Sequence, residues 1–204
     1  MMSAPGEKGE YSSGVWQDLA RGKALELCAG RTGRLLEVGC GEGLFLRRLK
    51  ERCPGLELSG VDISAERVQA AGERLGGGAA VSVQDASRLS FPDGHFDTVV
   101  CVNVLFNLPS RETVAQVLRE IARVSRAGAR IIADFRNAGN PLLGLKYALA
   151  PLYDPTVRGL PLRAYRPAEM KRFLSGAGLS AARAYPLGFP GLTLAPVIVW
   201  EAER

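Results

Sequence analysis

The order of strand and helix signals predicts an α/β fold in which helices cover both faces of a mostly parallel sheet. Short, continuously apolar runs alternate with amphipathic segments from residue 34 to residue 135. Such runs are typical of strands buried on both faces, and strands that alternate with helices form parallel sheets. With 204 residues, the chain has room for one domain with a full core. We expect a single domain over 1–204, with a tail and helix at 1–30 and a lid-like insertion at 136–166.

The first half of the chain predicts a leading helix and then alternating strands and helices. Ser12 or Ser13 is placed to cap the leading helix, which ends near Cys28. Apolar runs predict four buried strands, at 34–38, 57–61, 80–84 and 96–102. Two helices lie between them, at 43–52 before Pro54 and from Ser64 to Leu75, where glycines end the helix.

The second half predicts one long amphipathic helix, a fifth strand and a closing unit. The helix at 110–126 has its apolar side chains on one face, namely Val114, Val117, Leu118, Ile121 and Val124. The fifth strand is predicted at 129–135. The segment 136–166 is longer than an ordinary connection. A last helix begins near Pro167 and ends at Gly176 or Gly178, before two strands near 180–186 and 193–200.

The composition is typical of a folded globular protein, with 47% hydrophobic and 23% charged residues and a net charge of +5. The four cysteines lack Cys-x-x-Cys spacing and one histidine is present, so we expect no metal site. Unpaired cysteines and a polar N-terminus without a signal sequence favour a cytoplasmic protein. No apolar run reaches the ~18 residues of a membrane span. Peripheral membrane contact and the oligomeric state stay open.

The strongest functional signal is the sequence LLEVGCGEG at 35–43, where a strand leads into a glycine-rich turn and then a helix. Glycines let the backbone turn sharply and approach a ligand closely, and N–H groups at the helix start face that ligand. A dinucleotide site has the spacing Gly-x-Gly-x-x-Gly. Here Gly43 comes one residue early and Leu44 stands at the motif position, which weakens an interpretation as an NAD site. A tight loop without a ligand is the alternative.

Two acids follow at the tips of the next two strands. Asp62 lies 23 positions after Gly39, where a carboxylate can accept hydrogen bonds from both ribose hydroxyls. The alternative is a helix-capping role for Asp62 or Ser64. Asp85 is placed to accept a bond from an adenine amino group, with the Ala86 N–H facing a ring nitrogen. Ligands of open α/β sheets bind at the carboxyl ends of strands, where all three features lie.

With these features, residues 30–135 resemble the class I S-adenosylmethionine-dependent methyltransferases, in the small-molecule branch that includes quinone and sterol methyltransferases. The family's motifs match LLEVGCGEG at 35–43, GVDIS at 60–64, QDASRLSFPDGHFD at 84–97 and FDTVVCVNVLFNLP at 96–109. The resemblance implies a Rossmann-like three-layer sandwich with a seven-stranded, mostly parallel sheet whose last strand is antiparallel. It implies S-adenosylmethionine as the cofactor.

The same resemblance assigns cofactor contacts. The turn, with Gly39, Cys40, Gly41 and Gly43, is expected to cradle the methionine part, with Glu37 bracing the turn and the amino group. Asp62 is expected to bind the ribose, Ile63 and Ala86 the adenine ring, and Asp85 its amine. Cys101 is expected to line the cofactor pocket with its backbone.

One departure concerns catalysis. Many family members carry a histidine soon after the fourth strand, whereas this chain has Phe106 and Asn107 there, and His95 lies in a turn that we expect at the surface. The catalytic residue is therefore unknown. Methyl transfer from a sulfonium proceeds by direct in-line displacement and needs mainly positioning. A weak acceptor such as an alcohol also needs a base.

The segment 136–166 holds the clues to the acceptor. Its cations Arg136, Lys146, Arg158, Arg163 and Arg166 outnumber Asp154, and leucines and tyrosines lie between them. This pattern indicates a lid over a small acceptor that is acidic and partly apolar. The alternative is an apolar helix on the core with solvated arginines. The residues predicted to contact the acceptor are Tyr11, Asn103, Phe106, Asn107, Arg136, Tyr147, Arg163 and Tyr165, and Trp16 is a further candidate to close the site.

Two other functions stay open at this point. A nicotinamide-dependent oxidoreductase has the same fold type, although the early third glycine and Asp85 argue against it. A non-catalytic cofactor-binding partner subunit is compatible with the missing histidine. A nucleic-acid substrate is not expected, because Asn140 and Pro141 lack the rest of the Asn/Asp-Pro-Pro-Tyr/Phe pattern of amino-methylating nucleic-acid enzymes.

Overall fold

A computed structural model confirms the α/β fold and describes residues 14–153, 161–188, 191 and 194–204, with the backbone alone at 150–153. The described residues form one seven-stranded sheet in the order β3–β2–β1–β4–β5–β7–β6. Strands β1 to β5 are parallel, and β7 is antiparallel to both β5 and β6, as expected for the last strand. The strands are β1 (Gly33–Val38), β2 (Leu56–Asp62), β3 (Ala80–Val83), β4 (Phe96–Cys101), β5 (Ser125–Arg136), β6 (Ser180–Leu187) and β7 (Val197–Glu203).

Helices cover both faces of this sheet and divide the core into two clusters. Helices α1, α2 and α3 pack on one face, and α4 and α6 pack on the other. This three-layer arrangement buries the apolar strands from both sides, which is why they lack alternation. The helices are α1 (Val15–Cys28), α2 (Leu44–Arg52), α3 (Ala65–Leu75), α4 (Arg111–Val124), α5 (Pro141–Tyr153) and α6 (Pro167–Gly176).

The predicted helix caps are correct where the local sequence determines them. The Ser64 hydroxyl accepts the Arg67 N–H at the start of α3, and Gly76 ends that helix in the left-handed conformation, with φ +52°. The predicted serine cap of α1 is wrong, because Gly14 occupies the N-cap position. Ser12 and Ser13 themselves lie outside the described residues.

Two strand boundaries also differ from the prediction. Strand β5 begins at Ser125 rather than 129, because Ser125 already pairs with Phe96 of β4. Strand β7 begins at Val197 rather than 193, because Pro196 has no N–H to donate to the antiparallel ladder.

The segment 136–166 leaves the sheet and returns to the same point. The Tyr165 N–H donates to the Arg136 carbonyl at 2.8 Å and the Ala138 N–H donates to the Tyr165 carbonyl at 3.0 Å, which closes the base of the segment. Helix α5 lies within it, so the segment is partly helical. None of the helices in the described ranges is long and apolar enough to cross a bilayer.

Candidate active site

The glycine-rich turn is clamped onto the end of β2. The N–H groups of Gly39 and Cys40 both donate to the Val61 carbonyl, at 2.7 and 2.9 Å, and the Gly43 N–H donates to the Cys40 carbonyl at 2.9 Å. The three glycines of the turn have φ values of +77°, +51° and +76°. Side chains rarely adopt these values, so the sequence needs glycine at each position.

The three glycines differ in what surrounds them. A Cβ at Gly39 would collide with Val104, and one at Gly43 would lie 3.1 Å from the Ala71 Cβ. These two glycines therefore allow close packing within the protein. A Cβ at Gly41 would meet no protein atom within 4 Å. Gly41 is the position of the turn where the backbone is open to a ligand.

Asp62 is buried at the tip of β2 and connects two loops. Its Oδ2 accepts the Gly41 N–H at 2.9 Å and its Oδ1 accepts the Ser64 N–H at 3.0 Å. Ser64 and not Asp62 is the N-cap residue of α3, because the Ser64 hydroxyl accepts the capping hydrogen bond. A carboxylate has about four acceptor positions, so Asp62 keeps acceptor capacity beyond these two bonds.

Aliphatic side chains are exposed where β2 and β3 end. Ile63 is 73% exposed and Val83 is 52% exposed, next to the exposed Asp85. Asp85 accepts bonds from both the N–H and the hydroxyl of Ser87, at 2.8 Å each. The Gln84 N–H donates to the Asp62 carbonyl at 3.0 Å, which brings the two acids to neighbouring strand tips. A flat apolar ring with polar edges fits this surface.

Glu37 is the buried carboxylate at the end of β1. Its Oε2 has no hydrogen-bond partner among the described residues. Burial raises the pKa of Glu37 well above its usual range, an effect that Arg21 opposes and Asp62 reinforces. An unpaired buried carboxylate oxygen is costly, so this position fits a cationic ligand group such as an amino-acid ammonium.

Sequence reasoning missed Arg21 of α1, which is buried and pairs with Asp18 at 3.0 Å. Its charge opposes the rise in the pKa values of both Glu37 and Asp134, so it acts on two strand tips. A charged residue between buried alanines, Ala20 and Ala24, is the signal that identifies it, because buried arginines need acidic partners.

Cys101 is fully buried, and burial raises the pKa of its thiol.

A second buried polar group lies at the ends of β4 and β5. The Arg136 Nη1 donates to Asp134 Oδ2 at 2.7 Å and its Nη2 donates to Asn103 Oδ1 at 2.9 Å. The guanidinium lies 4.3 Å from the centroid of the Phe106 ring. Burial raises the pKa of Asp134, and Arg136 opposes that rise. The predicted acceptor residues Asn103, Phe106 and Arg136 therefore form one cluster, joined to Asp134, which sequence reasoning missed.

Asn103 is held in an unusual conformation at this cluster. Its φ of +64° is in the left-handed region. Its N–H donates to Asp134 Oδ1 at 2.5 Å, and its side-chain amide donates to the Gln17 carbonyl of α1 at 3.3 Å. Left-handed residues other than glycine cluster at functional sites. Asn103 thus connects α1 to the ends of β4 and β5.

Helix α5 places Tyr147 beside this cluster. The Tyr147 hydroxyl lies near the Arg136 guanidinium without a well-formed hydrogen bond, and burial raises its pKa despite the arginine. The Oδ1 of Asn107 is also buried without a partner. The Lys146 Nζ of α5 lies 3.7 Å from the centroid of the Trp16 ring, so α5 contacts α1.

The other predicted acceptor residues are placed differently. The Arg163 Nε donates to the Leu108 carbonyl at 3.2 Å and its Nη2 to the Pro109 carbonyl, so this side chain fastens the loop after β4. The structure places Tyr165 in the core, 1% exposed and packed between Phe135 and Phe173, rather than at a pocket surface. Tyr11 lies outside the described residues.

His95 is far from the glycine turn along the strand direction. It directly precedes β4, at the edge of the sheet opposite the strand tips, and contacts Phe91 and Phe96. Its Nδ1 lies 3.0 Å from the Arg34 Nη1. His95 is therefore not a base at the site, as the sequence predicts.

Together the turn and the two acids lie at one edge of a Rossmann-like sheet, and comparisons with known proteins specify the class. Residues 36–133 match the family model described as a methyltransferase domain. The chain is 32% identical over 148 residues to a phosphatidylethanolamine N-methyltransferase from Cereibacter sphaeroides, covering 69% of this chain and 70% of that protein. It is 32% identical over 143 residues to a demethylmenaquinone methyltransferase from Deinococcus radiodurans, covering 68% of this chain and 58% of that protein.

Solved structures show the same fold at low identity. A S-adenosylmethionine-dependent methyltransferase from Methanosarcina mazei superposes with a TM-score of 0.73 at 19% identity, covering 89% of this chain and 96% of that one. A magnesium protoporphyrin IX methyltransferase from Synechocystis with bound S-adenosylhomocysteine gives 0.68 at 19% identity, covering 96% of this chain and 90% of that one.

The chain therefore belongs to the class I S-adenosylmethionine-dependent methyltransferases. It is an enzyme with S-adenosylmethionine as its cofactor, which sets aside the oxidoreductase and the non-catalytic subunit. The chain spans just over half the length of the demethylmenaquinone methyltransferase that it matches.

Proposed function

We propose that this enzyme methylates a small acceptor with an acid group and an apolar part, by direct in-line displacement. The observation that carries the proposal is the cluster of Asn103, Phe106, Arg136 and Tyr147 at the ends of β4 and β5. Strand β4 is the neighbour of β1, and Val104 packs against Gly39 of the turn. The cluster therefore adjoins the cofactor turn.

On this proposal the strand tips hold the cofactor, which supplies an electrophilic methyl group on a sulfonium when it is bound. The Glu37 carboxylate receives the amino group of its methionine part, and the open side of Gly41 receives the adjoining atoms. Asp62 accepts bonds from the ribose hydroxyls. The apolar surface at Ile63 and Ala86 packs on the adenine, and Asp85 accepts a bond from its amine.

The one carboxylate of the described cluster, Asp134, is already engaged by both of its oxygens. Asp134 accepts bonds from Arg136 and from the Asn103 N–H, and burial keeps Tyr147 protonated by raising its pKa. No histidine occurs at these strand tips within the described ranges. An acceptor that arrives already ionised needs no base. We therefore favour a nucleophile that is itself an anion, such as a carboxylate or a thiolate.

Arg136 and Phe106 suit the two parts of such an acceptor. A guanidinium has five N–H donors, so the bonds to Asp134 and Asn103 leave capacity for an acid group. The Phe106 ring, which lies 4.3 Å from the Arg136 guanidinium, supplies apolar surface. Two similar enzymes are named for phosphatidylethanolamine and demethylmenaquinone, both partly apolar molecules, which supports an acceptor with an apolar part.

The test is a turnover screen of matched acidic and neutral acceptors with the wild type, Tyr147→Phe and Arg136→Lys. Charge-assisted bonds contribute about 1.5–3 kcal/mol, so we expect each variant to raise the acceptor KM by roughly 10- to 100-fold. The S-adenosylhomocysteine affinity should stay unchanged. The control is Arg166→Ala, which removes an exposed arginine of the same segment. A neutral, polar best acceptor, or normal turnover by both variants, would contradict the proposal.

A further inference from the structure

Two buried acids point toward the layer of the protein that contains α1. Side chains alternate along a strand, so Glu37 of β1 shares a sheet face with Leu35. By the same alternation, Asp134 of β5 shares a sheet face with Ile132. Leu35 and Ile132 belong to the core cluster that α1, α2 and α3 cover. Strand β4 lies between β1 and β5, so the two acids flank the end of β4.

Helix α1 carries a buried cation in this layer. Arg21 is 7% exposed and lies between Ala20 and Ala24, which are fully buried against the sheet. One turn earlier, the Gln17 carbonyl accepts a bond from the side-chain amide of Asn103, which follows β4, at 3.3 Å. Side chains on a helix tilt toward its N-terminus, so the Arg21 guanidinium reaches back toward these strand tips.

The other buried acids of these tips already have partners of their own. Asp134 accepts a bond from Arg136 at 2.7 Å, and Asp62 accepts two backbone N–H groups. The Glu37 Oε2 has no hydrogen-bond partner among the described residues. A buried carboxylate in that state takes up a proton unless a nearby cation stabilises its charge. Among the described residues, Arg21 is the cation whose charge acts on Glu37.

We propose that Arg21 is a positioning residue for the cofactor, because its charge keeps the Glu37 carboxylate ionised and ready to receive the ammonium group of the methionine part. Arg21 acts through Glu37 and need not touch the ligand. This inference rests on the Glu37 contact of the proposed function. It adds a residue of α1, outside the glycine turn and the strand tips, to those that determine the affinity for the cofactor.

The other ionisable groups that face Glu37 do not supply this positive charge. Burial raises the pKa of Glu37, Arg21 opposes that rise, and the Asp62 carboxylate of β2 reinforces it. The remaining groups are buried thiols, and burial raises their pKa values, so they stay neutral. These thiols belong to α1, the glycine turn and β4, namely Cys28, Cys40 and Cys101.

The charge of Arg21 can also be changed from the protein surface. The Arg21 Nη1 donates to Asp18 Oδ1 at 3.0 Å, and the Asp18 side chain is 46% exposed. Water screens a half-exposed ion pair, so Asp18 offsets only part of the Arg21 charge. Removing the Asp18 charge should therefore strengthen the effect of Arg21 on Glu37, whereas removing Arg21 should abolish that effect.

The experiment is titration calorimetry of the full chain with S-adenosylhomocysteine, over the pH range in which the amino group of this ligand stays protonated. Below the Glu37 pKa, Arg21→Gln should bind at least about tenfold more weakly than the wild type, because more of Glu37 is protonated. The difference should narrow or reverse as the pH rises, since the ligand ammonium no longer meets the Arg21 charge. Arg21→Lys keeps the charge and should follow the wild-type pH profile.

Two further variants complete the test. Asp18→Asn removes a half-exposed side chain, and it should bind about two- to threefold more tightly than the wild type below the Glu37 pKa. In a Glu37→Gln background, Arg21→Gln should weaken binding no further, since Arg21 acts through Glu37. The matched control is Lys23→Gln, which removes a cation from the same helix and should leave the affinity unchanged.

The outcomes separate this inference from the assignment on which it rests. The Arg21 role is wrong if Arg21→Gln, folded by its thermal melt, keeps the wild-type profile or weakens binding equally at every pH. If Arg21→Gln does not fold, Asp18→Asn decides, and an unchanged or weaker affinity overturns the inference. If Glu37→Gln binds like the wild type, the Glu37 contact of the proposed function fails and the Arg21 role fails with it.

Discussion

Replacing Gly41 by alanine separates ligand binding from backbone strain, because the chain provides a matched position. Gly41 has φ +51° and Gly76 has φ +52°, and a Cβ at either position meets no protein atom within 4 Å. Gly76 ends α3, away from the strand tips, whereas Gly41 faces the proposed cofactor. The two alanine variants therefore carry the same strain and differ in what the new methyl group meets.

The expected sizes follow from this geometry. A left-handed conformation costs an L-residue about 1–2 kcal/mol. For a domain of this length, each kcal/mol lowers Tm by about 2–4 °C, so both variants should melt about 2–8 °C below the wild type. The Gly41→Ala methyl group also occupies space that the ligand needs. We expect its S-adenosylhomocysteine affinity to fall at least about tenfold, or about 1.4 kcal/mol.

Isothermal titration with S-adenosylhomocysteine and a thermal melt measure both quantities. Gly76→Ala should bind like the wild type, and Gly41→Val should bind no detectable ligand. The reasoning is refuted if Gly41→Ala binds normally while its Tm falls as far as that of Gly76→Ala. Gly41 would then be a glycine for its backbone conformation alone.

The remaining predictions concern the two buried acids. Asp62→Ala should weaken S-adenosylmethionine binding by about 1–3 kcal/mol in titration calorimetry, since the ribose hydroxyls lose a charged acceptor; an unchanged affinity in the folded variant would contradict the ribose assignment. Because burial raises the pKa of Glu37, the affinity for the cofactor should rise with pH up to that pKa, and binding below that pKa should release a proton. Glu37→Gln should bind the cofactor weakly, and its affinity should not depend on pH in this way. As the pH rises from the usual carboxyl pKa toward the raised one, the Tm of the unliganded wild type should fall relative to the Tm of Glu37→Gln. If the two Tm values change with pH in the same way, the raised pKa is excluded.

Features that depend on neighbours in the chain were predictable from the sequence. The apolar runs identify the strands, and Ser64 and Gly76 mark the ends of α3 through bonds that span a few residues. The turn at 39–43 was also identifiable, because its glycines need conformations that other residues rarely adopt. The parallel order then brings the turn, Asp62 and Asp85 to one edge, since carboxyl ends of parallel strands meet there.

Other features depended on which distant residues meet. Arg136 was expected to face the acceptor, and the structure shows that its guanidinium is also paired with Asp134 inside the strand tips. Asp134 is the acid in the apolar run ARIIADF, and an acid in a buried strand indicates that a cationic partner exists. The run contains no information on which cation that partner is. Tyr165 illustrates the same point, because its ring is buried by Phe135 and Phe173 from other elements.

The sequence by itself determined the α/β class, the glycine turn with two acids at the next strand tips, and the family, because each follows from local periodicity, backbone conformation and motif spacing. The tertiary structure decided the arrangement of the proposed acceptor cluster. There, Asn103 bonds to Asp134 across 31 positions and to Gln17 across 86, and Lys146 lies over Trp16. These contacts join α1, α5 and two strand tips, and their formation depends on the packing of helices against the sheet. Local patterns constrain a residue's own conformation, whereas burial and charge pairing depend on the partners that folding brings to it.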